Sequence, residues 1–231
     1  EMTRLGPTNR EIGRVVDSAQ HLQDAVIAVE NRTFYSDKGI SPRGIARAFL
    51  NNLTGGPTQG GSTITQQYAK QAFTNQERSL SRKVREFFYA IKIDQVYTKD
   101  QILEDYLNQT YFGRGAYGVE TAARAYFGKG SVGKLSLEQA AVLAALIRSP
   151  ENLYNPEKNL DQLKARWQYV LNSMAEVGTI SAEDRDKAEF PKIKQWAPSN
   201  RYAGTKGYII SAVEEELNAA GITDEEIKTG G

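Results

Sequence analysis

The chain has 231 residues, of which 40% are hydrophobic and 25% charged, with a net charge of +1. That is the make-up of an ordinary globular protein with room for one good-sized domain and an appendage, and it lacks the basic field that nucleic-acid binding requires. With no cysteine, disulfides, thiolate catalysis and cysteine metal sites are excluded.

Helix signals dominate in chain order. An apolar segment, Ala25 to Val29, ends at Glu30, and Ser41-Pro42 offers an N-cap followed by proline at the first helical position. A glycine-rich turn from Thr54 to Gly61 leads into Ser62-Thr-Ile-Thr-Gln-Gln67. Thr98 to Gln101, Ser136 to Gln139 and Thr223 to Glu226 match the capping-box pattern. Ile102, Leu103, Tyr106 and Leu107 form one helical stripe, and Leu137 to Ile147 is apolar nearly all round, as a buried central helix is. Ser149 to Pro156 reads as a proline-bounded turn, and strand-like alternation is scarce. The longest apolar run, 140–147, is far below the ~20 residues of a membrane span. The chain does not begin with Met and shows no signal peptide. It reads as a fragment, with any targeting segment expected upstream.

Charge is unevenly spread. Seven Lys or Arg stand against three acids from Ser62 to Lys99, whereas six acids stand against Lys228 from Glu214 onward. A basic middle points to a local anionic ligand. Glu30, at the lip of an apolar element, is placed for partial desolvation, which moves a carboxyl toward the range useful for proton transfer. A helix-end Glu paired with Arg32 or Arg43 is the plainer alternative. Glu86 lies opposite the Val84, Phe87, Phe88 and Ile91 stripe, on a face with Arg82, Tyr89 and Ile93. It therefore lines a partly covered surface, or else makes an Arg82–Glu86 surface pair worth at most ~0.5 kcal/mol. The glycine-rich turn lacks the lysine of a nucleotide loop, yet glycines opening onto a helix N-terminus can present N–H groups to phosphate. A simple capped helix is the competing reading. His21, the only histidine, makes a Ser-His-Asp triad a poor candidate and is expected to be a surface or a satisfied structural residue. Tyr106, Tyr111, Phe112, Tyr126 and Phe127 are expected in the core.

Five segments, taken in order, resemble the peptidoglycan glycosyltransferases of glycosyltransferase family 51, the polymerase domain of class A penicillin-binding proteins. They are Glu30-Asn-Arg-Thr-Phe34 with Gly39; Gly60-Gly-Ser-Thr-Ile-Thr-Gln-Gln67; Arg82-Lys83 with Glu86; Lys99 through Ile102-Leu103, Tyr106-Leu107-Asn108 and Tyr111-Phe112-Gly113 to Gly118; and Arg148 with Pro150 and Pro156. The resemblance spans about Leu22 to Pro191. It implies a mainly α, lysozyme-like multi-helix domain with a substrate cleft. The implied activity is polymerisation of lipid II by inverting glycosyl transfer, with release of undecaprenyl pyrophosphate.

On that resemblance Glu30 is the base toward the acceptor sugar's 4-hydroxyl, and Glu86 is the second essential carboxylate. Lys70, Arg82, Lys83 and Arg148 serve the pyrophosphate, and Thr63 and Gln67 touch substrate. A divalent cation, Mg²⁺ or Mn²⁺, is implied with Glu30 and Glu86 as ligands, and no organic cofactor. The implied partners are lipid II, the growing glycan chain, a membrane surface and other cell-wall synthesis proteins, at the outer face of a bacterial plasma membrane. The domain is expected over 1–200, with 201–231 starting a linker toward a transpeptidase domain. Ser131-Val-Gly-Lys134 is the one Ser-x-x-Lys match, placed in a loop, so covalent penicillin binding is not expected of this segment. The chain departs from the commonest first motif, which carries Asp and His where it has Asn31 and Asp37, and Gln71 replaces a frequent Asn. Ile40, Ile45, Phe49, Leu50 and Leu53 fall where the family meets the membrane, or else pack as ordinary core. A lysozyme-like glycan hydrolase and a non-catalytic glycan- or lipid-binding module are the competing functions.

Overall fold

A computed structural model of the chain describes residues 19–41, 61–73 and 80–196 and parts of 212–221. The Ser41-Pro42 start, most of the glycine-rich turn, residues 45 to 53, Thr223 to Glu226 and the 200/201 boundary lie outside the described residues, as does the side chain of Arg82. Among the described residues the fold is helical, with one isolated antiparallel bridge between Tyr111 and Tyr117 in place of any strand. No described helix is long and apolar enough to cross a membrane.

Helix α1 (Gln20–Glu30) buries Leu22, Ala25 and Val26 at helical spacing and ends at Asn31, whose N–H bonds to Ile27 O. Helix α2 (Ile64–Phe73) starts on a reciprocal cap. Gln66 N donates to Thr63 Oγ1 at 3.1 Å, and Thr63 N donates to Gln66 Oε1 at 2.9 Å. Helix α3 (Leu80–Val96) packs on α2. Helix α4 (Lys99–Gln109) starts at the expected Thr98–Gln101 capping box and buries the expected stripe of Ile102, Leu103, Tyr106 and Leu107.

A tight turn follows α4. Its last residue, Gly118 (φ +81°), lies so near Asn108 that a Cβ would stand 2.7 Å from the Asn108 carbonyl oxygen. Only glycine allows that approach. Helix α5 (Val119–Phe127) leads to helix α6 (Leu137–Leu146), which starts at the Ser136–Gln139 box and is buried from Ala140 to Leu146. Helix α7 (Leu160–Val177) ends on Gly178 in the left-handed region, and the short α8 (Ala182–Lys187) starts on Ser181.

The central α6 packs against α1, α5 and α7, while α2 packs against α3 and α4. The C-terminus of α1 meets the start of α2 where these two groups of helices join. Tyr106, Phe112 and Tyr126 are fully buried as expected, whereas Tyr111 and Phe127 are half-buried. His21 is exposed, also as expected.

Candidate active site

Glu30 is the last residue of α1. A carboxylate there sits at the negative end of the helix dipole, so its placement calls for donors from other elements. Two are present. Gln67, one turn into α2, donates from Nε2 to Glu30 Oε2 at 2.8 Å. Arg166 of α7 brings an Nη to 3.9 Å from Glu30 Oε1, with side-chain exposures of only 11% and 14%. The pairing with Arg32 is not formed. Arg32 turns away to Glu176 at 2.7 Å and to the Ala28 carbonyl.

Behind Gln67 stands Tyr106. Its hydroxyl donates to Gln67 Oε1 at 2.9 Å and so fixes which end of the amide faces Glu30. Burial first, and the nearby Glu30 charge second, push the Tyr106 phenol well above its ordinary pKa, with a Thr110 hydrogen bond opposing. It therefore keeps its proton and remains a donor. Arg166 is held flat by aromatics, its guanidinium 4.7 Å from the Tyr169 ring and 5.9 Å from that of Tyr154.

The sequence reasoning missed Arg166, although a signal exists. It falls three residues after Leu163 and four before Val170, both buried, so a charge stands on an apolar stripe. Such a charge calls for a partner.

Glu86 lies on the covered side of α3, as its stripe implies. Its side chain is 3% exposed and takes Lys83 Nζ at 2.7 Å, one turn back. Ala90 and Ile93 are buried on the same side, while Val84 and Phe88 face outward. Of the apolar stripe, Val84 and Phe88 thus face outward and Phe87 and Ile91 are half-buried; on the carboxylate's stripe Ile93 is buried with Glu86, but Tyr89 is exposed.

Thr63 is buried, and its hydroxyl caps α2 while donating to Gly39 O at 2.7 Å. Lys70 is exposed in the last turn of α2, next to α3 with Lys83. Arg148 is exposed just past the end of α6. Gln71, the departure in the second segment, donates to the Thr110 hydroxyl at 3.5 Å. A hollow of about 520 Å³ lined by His21, Leu135, Glu138, Ile180, Asp184 and Lys187 contains none of the candidate residues.

A hard divalent cation needs several oxygen ligands. No three His, Cys, Asp or Glu side chains gather for one among the described residues. Glu30 faces an amide N–H and a guanidinium, and Glu86 faces an ammonium. These two carboxylates do not by themselves fit a metal.

Two carboxylates turned toward donors beside a helix pair bearing lysines suit the handling of a hydroxyl and an anionic leaving group. The transglycosylase family matches residues 1–175. The chain belongs to that family, the glycosyl-transferring domain of class A penicillin-binding proteins, and is a peptidoglycan glycosyltransferase. It is 42% identical over 227 residues to penicillin-binding protein 1A of Mycolicibacterium smegmatis, covering 94% of this chain and 29% of that protein. It is 44% identical over 204 residues to penicillin-binding protein 1A of Mycobacterium tuberculosis, covering 85% of this chain and 25% of that protein. The crystal structure of penicillin-binding protein 1A from Haemophilus influenzae matches with a TM-score of 0.51 at 22% identity, over 93% of this chain and 22% of that one. That likeness shows the shared fold, the lysozyme-like helical domain expected from the sequence. The chain spans under a third of the length of these relatives.

Proposed function

We propose that this domain polymerises lipid II into glycan strands, with Glu30 as general base. Glu30 takes the proton from the 4-hydroxyl of the acceptor GlcNAc. That oxygen bonds to C1 of MurNAc at the donor-chain end, and the C1–O bond to phosphate breaks with its electron pair leaving on undecaprenyl pyrophosphate. Attack from the face opposite the leaving group inverts the anomeric centre. The observation that carries this reading is that both Glu30 oxygens face donors, Gln67 Nε2 and Arg166. Oxygens turned toward donors act as acceptors, which is the role the base requires.

The leaving pyrophosphate needs positive charge, not a strong acid. Lys70, Arg82, Lys83 and Arg148 are the residues proposed to supply it, Lys83 already being drawn to Glu86. Gln67 is proposed to orient substrate as well as Glu30, and Thr63 to act through the α2 cap that presents Gln67. Mg²⁺ or Mn²⁺ belongs to this reading as a companion of the pyrophosphate, whose oxygens would supply most of its ligands. The domain is proposed to work at the outer face of the plasma membrane, alongside other cell-wall synthesis proteins. The outward Val84 and Phe88 with Phe73 support contact with the lipid that carries the substrate.

The decisive experiment is incubation with lipid II. Glu30→Gln is expected to lower the rate of strand growth by about 10²- to 10⁴-fold while the protein still folds, with a melting temperature lower by only a few degrees. Polymerisation by Glu30→Gln at the parent rate rejects the base assignment. Shortening of pre-formed strands without any growth would favour the hydrolase instead.

A further inference from the structure

The turn after Glu30 is closed by an array in which each donor meets an acceptor. Asn31 Oδ1 accepts from the backbone N–H of Ile64 at 3.1 Å, and Asn31 Nδ2 donates to Asp37 Oδ2 at 2.9 Å. The other Asp37 oxygen, Oδ1, accepts from Gly39 N at 3.1 Å and from Lys99 Nζ at 3.0 Å. Lys99, at the start of α4, also lies 2.5 Å from Asp94 Oδ1 of α3. Asn31 is buried and the Asp37 side chain is 5% exposed, so water does not readily replace a lost partner. The orientation of the Asn31 amide is forced. Reversed, it would aim an NH₂ at the Ile64 N–H and an oxygen at the Asp37 carboxylate.

Two bonds therefore tie the end of α1 to the first turn of α2. One is Asn31 to Ile64, and the other, one turn further along α2, is Glu30 to Gln67. Asn31 follows Glu30 directly, and its own N–H closes the last turn of α1 on Ile27 O at 3.0 Å. A displaced Asn31 carries the Glu30 carboxylate away from Gln67. We infer that Asn31 and Asp37 are positioning residues, a lock that holds Glu30 against Gln67 and works by the match of donor to acceptor. The inference rests on the reading of Glu30 as the base.

A match of donor to acceptor survives exchange. Asn31→Asp alone sets two carboxylate oxygens against each other. Asp37→Asn alone turns an NH₂ either on the Asn31 NH₂ or on Gly39 N–H and Lys99. Asn31→Asp with Asp37→Asn leaves the total charge beside Lys99 and Asp94 unchanged. It keeps an oxygen for Ile64 N–H and another for Gly39 N–H and Lys99, and it restores one donor facing one acceptor between positions 31 and 37.

The test is steady-state lipid II polymerisation by this chain, with melting temperatures, for both single variants, the exchanged pair and Glu30→Gln. Each single variant is expected to lower kcat by about tenfold or more with KM within about twofold, and the exchanged pair to return to within about threefold of the parent kcat. Singles that keep the parent kcat overturn the lock, as does an exchanged pair no faster than the slower single. If a single variant does not fold, an exchanged pair that regains the melting temperature without kcat also overturns it, leaving these residues a purely structural role. Parent-rate polymerisation by Glu30→Gln would reject the base while the exchange pattern still reports on the lock.

Discussion

Tyr106→Phe tests whether Glu30 is held through a chain of side chains. The change removes one oxygen, and with it the 2.9 Å bond to Gln67 Oε1, from a fully buried ring. Neutral hydrogen bonds contribute about 0.5–1.5 kcal/mol net. Gln67 is only half-buried, so water can partly satisfy its freed oxygen, and about 1 kcal/mol is the expected loss. For a chain of this size that lowers the melting midpoint by about 2–4 °C. If the lost restraint is felt in the transition state, kcat falls by about fivefold. Gln67→Ala removes a bond to a carboxylate, worth about 1.5–3 kcal/mol, and should lower kcat by about 10- to 150-fold. The assay is lipid II polymerisation kinetics on the two single variants and the double variant. In a serial chain Tyr106 acts only through Gln67, so adding Tyr106→Phe to Gln67→Ala changes kcat no further. Fully multiplicative losses would refute the chain.

Three further outcomes follow from the same geometry. Gly39→Ala should cost about 2–5 kcal/mol in urea unfolding, because φ is +79° and a Cβ would stand 2.4 Å from the Ala90 carbonyl oxygen, so that backbone must shift; wild-type stability would contradict that approach. Arg166→Ala removes a charge 3.9 Å from Glu30, worth between about 1 kcal/mol in water and about 4 at a surface dielectric. Its kcat should drop by about tenfold or more and be largely restored in Arg166→Lys, and equal loss in both would place the effect in the stacking on Tyr169. In alkaline solution the phenols of Tyr35 and Tyr68, pushed up to about 12 by burial first and by bonds to Asp100 and Asp105 next, keep protons that the unfolded chain loses from about pH 10. Their stabilisation is complete below pH 10 and is lost as pH rises toward 12, with the smaller share from Tyr35, which is exposed, and the larger from Tyr68, which is buried. Tyr68→Phe should flatten that decline in a series of chemical melts, and an unchanged slope would reject the assignment.

Local rules made much of the helical frame legible in the sequence. The boxes at Thr98 and Ser136 and the all-apolar α6 depend on neighbours a turn away, and the structure keeps them where periodicity put them. What required partners was less legible. Thr63 reads in the sequence as a ligand contact or as part of a helix cap, and the cap became visible only with the positions of Gln66 and of the Gly39 carbonyl. The pattern in α3 points to partial cover over Glu86, but not to how fully it is buried or that Lys83 is its partner. Arg166 reaches Glu30 from α7 across more than a hundred residues of chain, a distance no spacing rule spans. Asn31 and Asp37 meet because the turn between them folds back, so their bond follows from turn geometry and not from helical period.

The placement of charge bears on the choice between making and cutting glycan. A hydrolase with this helical fold needs one carboxyl that gives a proton to a sugar leaving group and a second that handles water or the anomeric carbon. Here Glu30 is flanked by Gln67 and Arg166 and Glu86 by Lys83, so each carboxylate is turned toward a donor or a cation. In the proposed mechanism a pyrophosphate makes no such demand, because its charge would be taken up by lysines and arginines while the only proton to move would go to Glu30 from the acceptor. On the proposed reading, Glu30 would also depend on the Asn31–Asp37 turn. A base acting on a weakly acidic hydroxyl works only within hydrogen-bond reach, and Glu30, at the last residue of its helix, owes its place as much to the segments beyond α1 as to α1 itself.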